Sequence, residues 1–134
     1  MVRVVVDTNV LVSALVGHGK PKMLVLRLFE THSLVLSNKM LAELMDVLSR
    51  EKFKEVKSSK VGRFLSLLVR GSKLVNPSSI SRVVLEDPDD DLVLATAHAA
   101  DVDYVVTGDR HLLALKEFRG TRIVRVSEML ALLE

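Results

Sequence analysis

Two segments near opposite ends of the chain each run from a short apolar stretch into a carboxylate. They are Val4-Val5-Val6-Asp7-Thr8-Asn9 and Tyr104-Val105-Val106-Thr107-Gly108-Asp109. Short continuous runs of β-branched residues are the pattern of strands covered on both faces. In open α/β sheets, ligands sit in the crevice at the carboxyl ends of such strands. An aspartate delivered there twice, with a threonine close to each, makes an acidic site. Negative charge gathered on a chain whose net charge is +2 points to a metal ion and a phosphate-bearing substrate.

Two further carboxylates stand out. Glu43 lies three residues after Met40 and four before Val47, along the apolar stripe of a helix that also carries Leu44 and Leu48. An acid in a core-facing stripe is costly unless paired or bound to a cation, although glutamates at the edge of a stripe also snorkel to water. Asp46 falls on the Ala42–Asp46–Arg50 side and is expected in solvent. Asp89, Asp90 and Asp91 follow Asp87-Pro88, a helix start with Asp as N-cap and Pro at the first helical position. Acids in a first turn gain about 0.3–1 kcal/mol each from the helix dipole, which accounts for Asp89 and Asp90. Asp91 begins the face continued by Leu94, Ala95 and His98, expected to pack toward the sheet. It is the acid of the three expected to reach the crevice. His98 is read as a core or surface histidine, not a ligand.

The elements that must position these residues alternate between strand and helix. Strands are expected at Arg3–Val6, Ser33–Leu36, Tyr104–Val106 and Ile123–Val126, with a short extended piece at Val83–Leu85. Helices are expected over about Pro21–Glu30, from a cap at Ser37 or Asn38 to about Arg50, and over Ser59–Arg70. Others follow from Pro88 to about Ala100, around Arg110–Lys116, and over Ser127–Leu133. Val16–Pro21 is a loop: Gly-His-Gly-Lys lacks phosphate-loop spacing, and Pro21 stands where Ser or Thr should be. Leu74–Pro77 ends in a turn. The alternation argues for one α/β domain over residues 1–134, three layers with a mainly parallel central sheet.

Composition bounds the function. Hydrophobic residues make up 49% of the 134, enough for a real core, but tryptophan is absent and aromatics are 4%, so that core is Val, Leu and Ala. Zero cysteines exclude disulfides and thiolate zinc sites. No signal-peptide pattern precedes the first strand and no apolar run approaches a membrane span, so the expectation is a soluble, cytoplasmic protein. From Arg50 to Lys73 there are eight basic residues against two acidic, and Glu86–Asp91 holds five acids and no base. Charge segregated this way fits an acidic centre beside a basic rim that holds a polyanion. Lys54, Lys57 and Lys60 are the first candidates for that rim, with Arg110, Arg119 and Arg122 as a second set. Two solvated faces would produce the same pattern.

The whole arrangement resembles the PIN-domain family, small metal-dependent nucleases that include toxins of toxin–antitoxin pairs. The resemblance rests on Val-Asp7-Thr8-Asn9-Val, on Glu43 within a leucine-rich helix, on Asp87-Pro-Asp-Asp-Asp91-Leu-Val-Leu-Ala-Thr-Ala97, and on Tyr104-Val-Val-Thr107-Gly-Asp109-Arg110-His111-Leu112-Leu113. It implies a PIN-like α/β/α fold and a four-acid site at Asp7, Glu43, Asp91 and Asp109, with polar companions Thr8, Asn9 and Thr107. It also implies an RNA substrate, an antitoxin protein as partner, and a homodimer. Four converging carboxylates cannot all stay ionised without counter-charge. Mg²⁺ or Mn²⁺, which take oxygen ligands, would supply it. Asp7, Asp91 and Asp109 are the expected metal ligands, with Glu43 binding through water, placing a second ion, or acting as base. Water activated in this way would leave a 5′-phosphate and a 3′-hydroxyl, and the expected activity is endoribonuclease. Two alternatives are a PIN-like RNA-binding module without turnover, which a complete acid set disfavours, and a phosphatase with Asp7 as nucleophile. The latter wants a second Asp two residues on, where this chain has Asn9.

Overall fold

The computed structural model describes residues 1–77 and 88–134, and for 88–91 the backbone alone. In chain order the elements are β1 (Arg3–Val6), α1 (Thr8–Val16), α2 (Lys20–Thr31), β2 (Ser33–Ser37), α3 (Asn38–Leu48) and a 3₁₀ turn (Glu51–Phe53). There follow α4 (Ser58–Gly71), β3 (Lys73–Val75), α5 (Pro88–Ala100), β4 (Tyr104–Val106), α6 (Arg110–Leu115), β5 (Glu117–Phe118), β6 (Thr121–Val124) and α7 (Val126–Leu133).

The six strands make one sheet in the order β3-β2-β1-β4-β6-β5. Every pair is parallel except the β5–β6 hairpin. Its centre is dry on both faces: Val4, Val5, Val6, Leu34, Val35, Leu36, Val105 and Val106 are all fully buried. The apolar runs therefore behave as central strands of a parallel sheet should. From β1 to β2 to β3 the chain steps one way along the sheet, while β3 to β4 and β4 to β6 step the other way. Right-handed crossovers then put the connecting helices on opposite faces. α1 packs on α2, which also meets α7, while α5 lies across β1, β2, β3 and β4. The close seat of α5 is allowed by Ala95, Ala97 and Ala100, all buried.

Three elements differ from the sequence expectation. α1 has no counterpart there, because Thr-Asn-Val-Leu-Val-Ser-Ala-Leu-Val is apolar on nearly every side and shows little helical periodicity. Lys73–Val75 is an edge strand where a turn was expected; it pairs with Val35–Ser37. Glu117–Phe118 closes a hairpin through Arg119 and Gly120, both at positive φ. That pairing ends α6 early and starts β6 at Thr121, two residues before the expected strand. The expected extended piece Val83–Leu85 and the N-cap Asp87 lie outside the described residues. No described helix is long and apolar enough to cross a membrane.

Candidate active site

β1 and β4 are neighbours, and their onward connections leave in opposite directions, β1 toward β2 and β4 toward β6. Their carboxyl ends are therefore the switch point of the sheet, where a crevice opens. Asp7 and Thr107 are the next residues after these strands, and the ladder continues through them. The Asp7 N–H donates to the Val106 carbonyl at 2.9 Å and the Thr107 N–H to the Val124 carbonyl at 3.1 Å. Their backbones are thus set by the sheet itself.

One hydroxyl joins the two aspartates. Thr107 is fully buried; its Oγ1 donates to Asp7 Oδ2 at 2.7 Å and accepts from the Asp109 N–H at 3.0 Å. Asp109 also caps α6, its Oδ1 accepting from the N–H groups of His111 at 2.7 Å and Leu112 at 3.2 Å. Asp7 stands at the N-cap of α1 without closing a side-chain cap bond. Burial pushes its carboxyl above the ordinary aspartate value and the nearby charge of Asp109 pushes the same way. The Thr107 hydroxyl and the N–H groups of Asn9 and Thr8 pull it back down. A buried carboxylate held by one hydroxyl, beside a second carboxylate, is short of positive charge. The donors are all oxygens, which suits a hard cation such as Mg²⁺ or Mn²⁺.

Of the other expected site residues, Thr8 is buried at the start of α1, and Asn9 is exposed and lines an adjoining cleft. Glu43 is half-buried on α3, which packs against α1 and reaches α5. The side chain of Asp91 lies outside the described residues; three and four positions along the same helix, Leu94 and Ala95 are buried. His98, expected on that inward face, is exposed, so the buried face of α5 continues through Ala97 instead. Among the described residues no group of three or more His, Asp or Glu is gathered to hold an ion. Asp7 and Asp109 are the expected ligands seen in electrostatic contact.

A family model described as PIN domain matches residues 3–111. The chain belongs to the PIN-domain family. No curated protein sequence matches it. Among the crystal structures that share its fold are the following two. PAE2754 from Pyrobaculum aerophilum is 22% identical with a TM-score of 0.66, over 98% of this chain and 89% of that one. VapBC2 from Rickettsia felis, bound to a DNA fragment from their promoter, is 20% identical with a TM-score of 0.66, over 92% of this chain and 98% of that one. The PIN family match spans β1, α3, α5 and β4, the elements that carry the four expected acids.

The basic residues expected to meet a polyanion lie apart from one another in this PIN domain. Lys54 is exposed and pairs with Glu51 at 2.8 Å, Lys57 stands before α4, and Lys60 lies on α4. Lys60 joins Lys22 and Arg63 around an apolar groove floored by Leu15, Val25, Phe29 and Phe64. Arg119 and Arg122 sit before and within the first half of β6, with Arg122 opposite Tyr104. That is the amino-terminal end of the parallel strands, away from the acids, so of the second basic set Arg110 alone is near them. A cleft of about 510 Å³ adjoins the aspartates; Asn9, Ser13, Lys20, Thr107, Arg125 and Ser127 are among its walls. The sequence carries no local sign of it, because Lys20, Thr107 and Arg125 come from three separate elements.

Proposed function

We propose that this PIN domain is an endoribonuclease that uses Mg²⁺ or Mn²⁺ and serves as the toxin of a toxin–antitoxin pair. Family membership supports nuclease chemistry. The observation that carries the reading is Asp7, buried at the switch point with Asp109 beside it and Thr107 fastening both. Asp7, Asp109 and Asp91 would hold the cation. When bound, the ion supplies positive charge that lowers the pKa of water and offsets charge building on the scissile phosphate. Thr107 fixes the Asp7 rotamer and favours its ionised form, as do the Asn9 and Thr8 N–H groups. Glu43 acts as base on the attacking water. The water oxygen bonds to phosphorus as the P–O3′ bond breaks, and the proton taken up by Glu43 balances the one that the departing O3′ gains from solvent, leaving a 5′-phosphate and a 3′-hydroxyl. Lys54, Lys57 and Lys60 serve as outlying phosphate contacts.

The likeness to VapBC2 supports an antitoxin protein as partner. The apolar groove rimmed by Lys22, Lys60 and Arg63 fits an amphipathic antitoxin segment with acidic flanks. A homodimer in the cytoplasm completes the proposal; light scattering on the purified chain checks the dimer. The deciding experiment incubates the protein with labelled single-stranded RNA in Mg²⁺, Mn²⁺ or EDTA. Asp7→Asn and Asp91→Asn should each remove cleavage while the protein stays folded, and Asp90→Asn should keep most of it. Full activity in EDTA overturns the metal mechanism. RNA binding without cleavage in either metal favours a module without turnover.

A further inference from the structure

The acid pair creates a problem for any nucleic-acid substrate, because a strand brought to Asp7 and Asp109 meets repulsion at each neighbouring phosphate. A cation on the scissile group answers this at one position only. The neighbouring phosphates need a separate source of positive charge, placed beside the acids and not spent on other partners.

The cleft that opens next to Thr107 has this character. Thr107, whose hydroxyl is 2.7 Å from Asp7 Oδ2, is part of its wall, as is Asn9. Lys20, the first residue of α2, and Arg125, the residue before α7, also line it, as do the hydroxyl residues Ser13 and Ser127. Both cations are exposed, and neither closes an ion pair among the described residues. By contrast Lys54 and Arg50 are each paired with an acid on their own segment. A guanidinium and an ammonium at the rim of one cleft, with hydroxyls on its walls, suit phosphodiester oxygens.

We propose that this cleft is a phosphate subsite, in which Lys20 and Arg125 hold a backbone phosphate of single-stranded nucleic acid next to the one lying over Asp7 and Asp109. It rests on the nuclease reading for the orientation of the strand, but not for its binding chemistry. Lys20 and Arg125 are positioning residues: they set where the strand lies and leave the reacting atoms alone. The contact is to backbone, so its contribution is the same for every base sequence.

The test measures binding apart from cleavage. In the Asp7→Asn background, affinity for a fluorescent single-stranded RNA is followed by anisotropy across a salt series, for Lys20→Gln, Arg125→Gln and the double variant. Each phosphate contact contributes about 0.7 to the log–log salt slope for single strands. The double variant should therefore flatten the slope by about 1.4, equally for unrelated sequences. Lys73→Gln/Arg119→Gln removes two charges at the amino-terminal end of the strands and should leave the slope as it was. With Asp7 intact, the Lys20/Arg125 double variant should raise KM and keep kcat at saturating RNA. Lys20→Arg should restore most of the affinity. An unchanged slope and KM in a folded double variant overturns the subsite, even where cleavage is confirmed. A flattened slope in a protein that cleaves nothing upholds the subsite and overturns the nuclease. Equal flattening by the control pair overturns the subsite, because net charge alone then explains the effect.

Discussion

At the scale of single residues the molecule turns on Asp7 and Thr107. Asp7 is buried, and burial with the help of Asp109 raises its pKa above 3.8 in the fold. A carboxyl whose folded pKa exceeds its unfolded one binds its proton more tightly when native. Its contribution to stability is fully present below about 3.9 and is lost as pH climbs through the raised folded value. Asp7→Asn should therefore melt higher than the parent at neutral pH without metal, and the advantage should vanish under acid. Urea titrations across that range check it; an advantage that grows toward low pH contradicts the account. Asparagine can still accept from Thr107, so the variant keeps the local bond. Thr107→Val removes the donor to Asp7 and the acceptor for the Asp109 N–H while keeping shape. A hydrogen bond to a charged group contributes about 1.5–3 kcal/mol, and a loss of that size is expected at pH 7. Thr107→Ser should recover most of it. Equal stability of the valine and serine variants would show that the hydroxyl has no part in holding the pair.

At the scale of elements, helices start on site residues. Asp109 is both an acid of the site and the N-cap of α6, accepting from two backbone N–H groups. The two roles separate by substitution. Asp109→Asn keeps a good cap and removes the charge; Asp109→Ala removes both, and losing such a cap costs about 0.5–2 kcal/mol. Both should lose cleavage, and the alanine variant alone should also lose stability by that amount in chemical denaturation. A stable alanine variant would mean that α6 does not depend on its cap. This double use also explains which elements the sequence displayed. Strands β1, β2 and β4 were plain because each has a continuous apolar centre buried on both faces. Helix α3 was plain because Ser37 caps it, accepting from the Met40 N–H, and its stripe repeats at helical spacing. Helix α1 was hidden because apolar residues at almost every position erase the period. Strands β3 and β5 have three and two residues, too short for any alternation to register; only their sheet partners define them. In the site, Asp7, Thr107 and Asp109 were visible because strand ends announce themselves. Lys20 and Arg125 were not, since the cleft exists only after α2 and α7 have packed together.

At the scale of the whole molecule, the fold holds its charges apart. The core is aliphatic and dry, the sheet's switch point carries carboxylates, and the cations lie around it on other parts of the surface. Such an arrangement leaves the free protein below the stability that its packing allows, because Asp7 is buried and the charge of Asp109 repels its own. A ligand that binds only the native state raises stability by mass action, by about 2.7 kcal/mol at a concentration one hundred times its Kd. Mg²⁺ and Mn²⁺ should therefore raise the Tm, with the rise continuing as metal concentration increases beyond saturation. For a domain of this size, 1 kcal/mol corresponds to roughly 2–8 °C, so the shift should be plain in a calorimetric scan. Asp7→Asn starts higher without metal and should gain much less when metal is added, so the two melting curves should converge or cross as metal increases. Lys20→Gln/Arg125→Gln, which leaves Asp7 and Asp109 in place, should show the full metal response of the parent. A rise that survives in Asp7→Asn would place the ion somewhere other than the end of β1 and remove the physical basis for assigning the catalytic centre there.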